Sequence, residues 1–232
     1  MARPLMFLLC SIPSVEPASS QDGLWKLGIT DRSTVGARWE KDQPMLPAVA
    51  ENDFDLGDGR PGSLGLVIRR HPETGERRMD KLIWGLLPHD TLDPRSAPRP
   101  THARAETIAT HPVFTGAFRA RRAIVPATEF YLRNTQGARG PRRYAVARRD
   151  GEPLGLAALW EGFRWPNGRV TRSYCIVTVA ANEMIAPFHD RMPLVLEKAD
   201  VGVWLGEVAG DPAALLRPPA ADVLGCRSLG RG

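Results

Sequence analysis

Aromatic side chains, arginines and a polar turn are concentrated in the segment from Trp84 to Leu132. This segment contains the polar turn around His102 and Arg104, and it closes on a strand-like apolar run. Guanidinium groups form paired hydrogen bonds to phosphate oxygens, and flat aromatic rings stack on nucleobases. These residue types together predict a surface that holds a nucleic-acid strand, and His189 is a further candidate for the same site.

The charge distribution supports a polyanionic partner. The net charge of the 232-residue chain is +5, and its pI is about 9.5. Between residues 101 and 150, ten arginines stand against three acidic residues, an excess greater than that of the whole chain. A local field of this sign attracts nucleic acid. The alternative is a solvated arginine-rich surface without such a partner.

The composition, with 43% hydrophobic and 25% charged residues, is that of a soluble globular protein. The cysteines Cys10, Cys175 and Cys226 form neither a disulfide framework nor a zinc motif, which fits a reducing cytosol. The apolar run ending at Cys10 is typical either of a short signal peptide or of a first strand. No stretch approaches the length of a membrane span. We therefore expect a cytoplasmic, nucleoid-associated monomer that uses no cofactor and no metal and has no membrane partner.

Short apolar runs between turns rich in glycine and proline predict a β-rich fold. The predicted strands cover residues 4–12, 64–68, 78–86, 122–132, 144–147, 154–159, 174–179 and 194–196. Helices are predicted over 106–118, with a break or start at Pro112, and over 199–208. We expect a single α+β domain over residues 1–232, best supported over 64–206. Its core is predicted to be a twisted, barrel-like antiparallel sheet flanked by short helices, and residues 212–232 are expected to fray.

Seven short blocks, in this order, resemble the SRAP family, the SOS response-associated peptidase-like proteins. They are Trp84–Pro88, Ala103–Thr107, Arg121–Ala127, Gly155–Glu161, Ile176–Thr178, Ala181–Asn182 and His189–Pro193. The resemblance implies a domain of the DNA-damage (SOS) response that binds single-stranded DNA and captures abasic sites. In the family, an N-terminal cysteine closes a thiazolidine ring on the sugar aldehyde, assisted by an Asn, a Glu and a His. The resemblance implies contacts to DNA by four residues, Trp84, Arg104, Arg121 and Arg191, and a catalytic role for His189.

The chain departs from the family pattern at three catalytic positions. It begins Met1-Ala2, and the nearest thiol is Cys10, which has no free α-amine in this sequence. His102 stands where the family has its Asn, and Leu132 stands where it has its Glu. Glu129 lies three residues before Leu132, and an odd offset in a strand points to the opposite face.

Three functions remain open at this point. The leading hypothesis is a single-stranded-DNA-binding protein that forms a covalent crosslink at abasic sites. The second is a DNA-binding module of phage or mobile-element origin that has lost catalysis. The third is a peptidase-like hydrolase that uses Cys10 and His189. The altered positions leave the enzymatic activity undecided among them.

Overall fold

The computed structural model describes residues 27–28, 59–134 and 142–231. The predicted strand over 4–12 and the candidate nucleophile Cys10 lie outside these residues. The strands are β1 Leu27–Gly28, β2 Leu64–Arg70, β3 Arg77–Trp84, β4 His102–Arg104, β5 Arg122–Ala127, β6 Glu129–Asn134, β7 Arg142–Arg148, β8 Leu154–Arg164, β9 Val170–Ala180, β10 Arg191–Pro193, β11 Val195–Leu196 and β12 Leu224–Arg231. The α-helices are α1 Pro112–Ala120 and α2 Val201–Leu205, and 3-10 helices cover Lys198–Asp200 and Pro212–Leu215.

Five strands close into a barrel in the order β9-β3-β2-β5-β8, because β8 also pairs with β9. The β2–β3 and β8–β9 connections are antiparallel hairpins. Gly168 in the second turn has a φ of 81°, which favours glycine. The prediction of a β-rich α+β fold with a barrel-like sheet is confirmed. The pairing of β3 with β9 is parallel, a departure from the predicted antiparallel sheet.

Strand β9 connects the barrel to the candidate site. Its first half pairs with β8 and β3 inside the barrel wall. Its second half runs beyond the barrel between two short strands, β4 on one side and β10 on the other. The residues that the sequence places around His102 and His189 therefore meet at the end of one strand.

The second sheet has the order β1-β6-β7-β12. The segment 122–132, predicted as one strand, is divided at Thr128 into β5 of the barrel and β6 of this sheet. The expected fraying of residues 212–232 is wrong for residues 224–231, because β12 pairs with β7 from Leu224 to Arg231. Leu224 is fully buried, so this strand is fixed by the core as well as by hydrogen bonds.

The helix predicted over 106–118 begins only at Pro112. His111 caps it by accepting a hydrogen bond from the Val113 amide, and proline is well suited to the first helical position. The preceding residues 105–110 form turns instead. The longest helix among the described residues has nine residues, too short to cross a membrane.

Candidate functional site

Three adjacent strands form the floor of the candidate site. Arg104 of β4 lies opposite Thr178 of β9, and Thr178 lies opposite Pro193 of β10. Ala103 is fully buried, whereas Arg104 is exposed, as the alternation of a strand requires. The Arg104 guanidinium makes no hydrogen bond or ion pair within the described residues. Its charge is therefore available to an anion that approaches this edge.

Arg191, predicted to contact DNA, is instead committed to the protein. It is only 7% exposed, and both of its terminal nitrogens contact the carboxylate of Glu106. It also donates to the carbonyl of Thr178 at 2.7 Å and to the Thr178 hydroxyl at 3.2 Å. A guanidinium with these partners has no terminal nitrogen directed at a phosphate. Arg191 thus positions the strands, and its predicted contact to DNA stays a prediction.

Glu106 is the partner that the sequence did not reveal. The sequence placed Glu106 at the start of the helix predicted over 106–118, but helix α1 starts six residues later. The hydrogen bonds from Arg191, followed by smaller effects that include the charge of Arg104, hold the pKa of Glu106 below its usual range. The carboxylate is therefore charged at neutral pH and is not a proton donor. No local signal could have found this pair, since 85 residues separate its members.

His189 is held at the edge of this floor by the backbone. Its Nδ1 lies 2.9 Å from the Arg191 amide nitrogen and 3.2 Å from a carboxylate oxygen of Asp190. The two contacts require opposite states of Nδ1, because an amide only donates and a carboxylate only accepts. We favour the amide bond, since its direction is fixed by the backbone. Nδ1 then acts as the acceptor, and Nε2 is the ring nitrogen that can donate.

His102 lies on the same strand face as Arg104. Its Nδ1 is 3.3 Å from the Thr101 hydroxyl, and its ring packs edge-on against Trp84. Part of the ring remains accessible to solvent, yet desolvation lowers its pKa to about 3. His102 is neutral throughout the physiological range. Its surroundings disfavour the charged form.

Trp84 belongs to the core and not to a stacking platform. It is 2% exposed, it stacks on Tyr174, and its indole nitrogen donates to the Thr101 carbonyl at 2.9 Å. Arg121 was also predicted to contact DNA. Its Nη2 donates at 2.6 Å to the buried carboxylate of Glu161. The barrel wall uses both side chains for packing and charge compensation, and their contacts to DNA stay predictions.

The position expected to supply a carboxylate is apolar, and two polar side chains, Glu129 and Asn182, are bonded within the protein. Leu132 is 1% exposed, so the place of the family's Glu is an apolar core position. Glu129 lies on the other face, where it accepts from Tyr131 at 2.6 Å and from Arg227 at 2.9 Å. Asn182 bonds the Ile185 amide and the Pro219 carbonyl. None of the three directs a free polar group at the floor formed by β4, β9 and β10.

Comparison with known families identifies the chain. Residues 32–230 match the family described as SOS response associated peptidase (SRAP). The chain belongs to this family. The proposed resemblance is therefore confirmed over most of the sequence, including residues before Leu64 that the sequence blocks did not reach.

Curated relatives of this SRAP chain carry names that state a function. The abasic site processing protein YoqW of Bacillus subtilis is 30% identical over 148 residues, which cover 62% of this chain and 66% of that protein. The abasic site processing protein YedK of Escherichia coli is 28% identical over 155 residues, 66% of each chain. The matched region thus spans slightly less than two thirds of these relatives.

Crystal structures of two bacterial proteins share the fold. A protein from Bordetella bronchiseptica superposes with a TM-score of 0.73 at 24% identity, covering 89% of this chain and 99% of that one. A protein from Bacteroides thetaiotaomicron gives a TM-score of 0.74 at 20% identity, with coverages of 88% and 90%. The architecture of the SRAP chain is therefore one already seen in crystals.

The described part of the SRAP chain offers no reactive cysteine. Burial raises the pKa of the fully buried Cys175 far above its ordinary value, and it also raises the pKa of Cys226. A thiol in either place stays protonated and is a poor nucleophile. The described residues contain no group of three or more metal-ligating side chains. A hydrolase or crosslinking mechanism depends on Cys10, which lies outside the described residues.

The arginine excess of the SRAP chain divides into two sets. One set is bonded within the protein and comprises Arg121, Arg122, Arg148 and Arg149. The other set has no side-chain hydrogen bond or ion pair among the described residues and comprises Arg104, Arg119, Arg133, Arg142 and Arg143. Arg142 and Arg143 open β7, next to the β6 strand that carries Leu132. The second set defines the cationic surface available to a ligand.

Proposed function

We propose that this SRAP chain binds single-stranded DNA at abasic sites through the floor formed by β4, β9 and β10. The observation that carries the proposal is the exposure of the Arg104 guanidinium. This guanidinium is exposed and makes no hydrogen bond or ion pair within the described residues, while the neighbouring Arg191 is bound by Glu106. A guanidinium without a direct ion pair can form paired hydrogen bonds to a phosphate. The names of the curated relatives support an abasic site as the feature recognised.

The floor supplies polar groups suited to a strand that lacks one base. His102 is neutral, and a neutral imidazole provides hydrogen bonds without adding charge. A missing base leaves a sugar whose oxygens are open to such donors. Arg104 then fixes the adjoining phosphate. The site recognises the backbone and the gap instead of a particular sequence.

Noncovalent recognition is the function that the geometry supports best. The apolar Leu132 replaces the carboxylate that would transfer protons, and the depressed pKa of His102 removes a second proton carrier. Covalent capture is the second candidate, and the names of the relatives as processing proteins favour it. It requires an amine and a thiol on one residue, and so a mature chain that begins at Cys10.

The test uses one single-stranded oligonucleotide in three forms. These are an intact strand, a strand with a stable abasic analogue and a strand with a reactive aldehyde abasic site. We expect the analogue to bind more tightly than the intact strand in fluorescence anisotropy. Equal affinities would remove abasic recognition from the proposal. A denaturing gel with the aldehyde strand decides between noncovalent and covalent capture, because only a covalent adduct survives denaturation. The intact mass of the purified chain shows whether the chain begins at Cys10.

A further inference from the structure

Strands β6 and β7 place two arginines directly opposite each other. Arg133 of β6 pairs with Arg143 of β7 in the antiparallel register. Side chains at directly opposite positions lie about 5 Å apart at Cβ, and like charges there destabilise the pair. Arg143 is exposed and Arg133 is half-buried, and neither forms a side-chain hydrogen bond or ion pair among the described residues. The sheet thus carries a local repulsion that no described carboxylate relieves.

The same sheet face carries an aromatic ring. Tyr131 is two residues from Arg133, so both side chains point to one face, opposite to that of Leu132. Its hydroxyl donates to Glu129, which also accepts from Arg227. Burial, followed by this bond, raises the pKa of Tyr131 to about 12 and keeps the phenol neutral. The ring is thereby fixed in place.

The net charge of this face is positive. The charge of Glu129 is balanced by Arg227 at 2.9 Å, which leaves Arg133 and Arg143 as the excess. Phosphodiesters complement two adjacent guanidiniums, and they convert the mutual repulsion into a shared attraction. An aromatic ring beside them suits unpaired bases, which duplexes keep stacked inside. The chemistry therefore fits a single strand better than a duplex.

The face is joined to the candidate site through the other side of the same two strands. Leu132 lies opposite Tyr144, one residue from the arginine pair on each strand. The Tyr144 ring contacts the ring of Phe188 with centroids 4.4 Å apart, and Phe188 immediately precedes His189. The arginine pair therefore lies on the outer face of the same two strands whose inner face contacts Phe188, next to His189.

We infer that the outer face of β6 and β7, formed by Tyr131, Arg133 and Arg143, is a second contact surface for single-stranded DNA that extends the strand bound at Arg104. This inference rests on the proposed function and extends the binding site along the DNA strand. Stability of the fold does not explain the arginine pair, because cations at directly opposite positions weaken a sheet. Binding of DNA gives the pair a role.

The experiment compares a short single strand of about 5 nucleotides with a long one of about 15, a range that spans the footprints of single-strand-binding domains. The double variant Arg133→Gln/Arg143→Gln is measured beside the wild type. We expect the wild type to prefer the long strand by about tenfold and the variant to lose most of this preference. The salt slope on the long strand should fall by about 1.4, or 0.7 for each phosphate contact removed. Its midpoint of urea unfolding should be no lower than that of the wild type.

The control is Arg78→Gln/Arg172→Gln, which removes two exposed arginines at the opposite end of the barrel. An unchanged length preference in the β6–β7 variant overturns the second surface while leaving the proposed function intact. A wild type that binds neither strand overturns both. If a duplex of the same length competes as well as the single strand, the surface binds through charge alone. That result overturns the proposal that the surface binds single strands.

Discussion

Arg191 and Glu106 join the two flanks of β9 by an ion pair that spans the strand. Arg191 begins β10, and Glu106 follows β4, while the Thr178 carbonyl of β9 accepts from the same guanidinium at 2.7 Å. The pair fixes the two short strands that bear the candidate site. Among the described residues of the site, Arg104 is a cation without a direct ion pair, whereas Arg191 is bound by Glu106.

Glu106→Gln should destabilise the protein by about 1–2 kcal/mol. Removing one partner of a buried ion pair costs about 3–5 kcal/mol, and the exposure of the Glu106 carboxylate reduces this through solvent screening. Urea unfolding at pH 7 measures the difference. Glu73→Gln is the control, since Glu73 is an exposed residue on the β2–β3 turn. Equal midpoints for the two variants would show that the pair does not fix the strands.

His102→Asn should flatten the dependence of stability on pH between about 6.5 and 4.5. The pKa of His102 is lowered to about 3, below its value of 6.5 in the unfolded chain. As pH falls below 6.5, His102 binds a proton in the unfolded state but not in the folded state. The free energy of unfolding therefore falls by up to about 1.4 kcal/mol per pH unit. The window ends near 4.5, because carboxylates such as Glu106 titrate below it.

Urea unfolding of the His102→Asn variant at pH 6.5, 5.5 and 4.5 measures this difference. The exposed His111→Asn variant is the matched control, since asparagine also caps helices well. A wild-type stability that is constant over the window would contradict the depressed pKa of His102.

Trp84→Phe should cost about 1–2 kcal/mol of stability and leave the affinity for DNA unchanged. The variant keeps an aromatic ring against Tyr174 but loses the indole hydrogen bond to the Thr101 carbonyl, which keeps only its bond from the Ile176 amide, and the smaller ring fills less of the core. Thermal unfolding and anisotropy measure the two quantities. A loss of affinity without a loss of stability would restore Trp84 as a stacking residue.

Leu132→Glu, which reinstates the family's carboxylate, should not restore catalysis. A charge at a position that is 1% exposed, without a designated partner, destabilises the fold by several kcal/mol. Leu132→Met keeps the volume and should cost less than about 1.5 kcal/mol. A folded Leu132→Glu variant that crosslinks abasic DNA would contradict this prediction. It would show that the missing carboxylate alone prevents crosslinking in the wild type.

The sequence predicted the barrel because turn residues and alternating apolar runs are local signals. The β8–β9 hairpin follows directly from the turn that contains Asn167 and Gly168. The break at Thr128 was missed because both flanking runs are strands and only their sheet membership differs. Strand β12 was missed because its pairing with β7 depends on contacts about eighty residues apart along the chain, which composition does not reveal.

The sequence indicates which segments contribute to the site, but not which partners their side chains have. The blocks containing Arg104 and His189 meet at the end of β9, beside His102. The division of the arginines into bonded and free ones was not predictable. It depends on distant partners such as Glu106 for Arg191 and Glu161 for Arg121. The number of charges along a sequence does not reveal which arginines are paired with distant carboxylates.

The salt dependence of single-stranded DNA binding tests the central claim most directly. Anisotropy titrations from about 50 to 200 mM salt give the slope for the wild type, for Arg104→Gln and for the distant Arg78→Gln. The account predicts weaker binding and a slope reduced by about 0.7 for Arg104→Gln alone, the loss of one phosphate contact. An Arg104→Gln protein with the affinity and slope of the wild type would contradict the account.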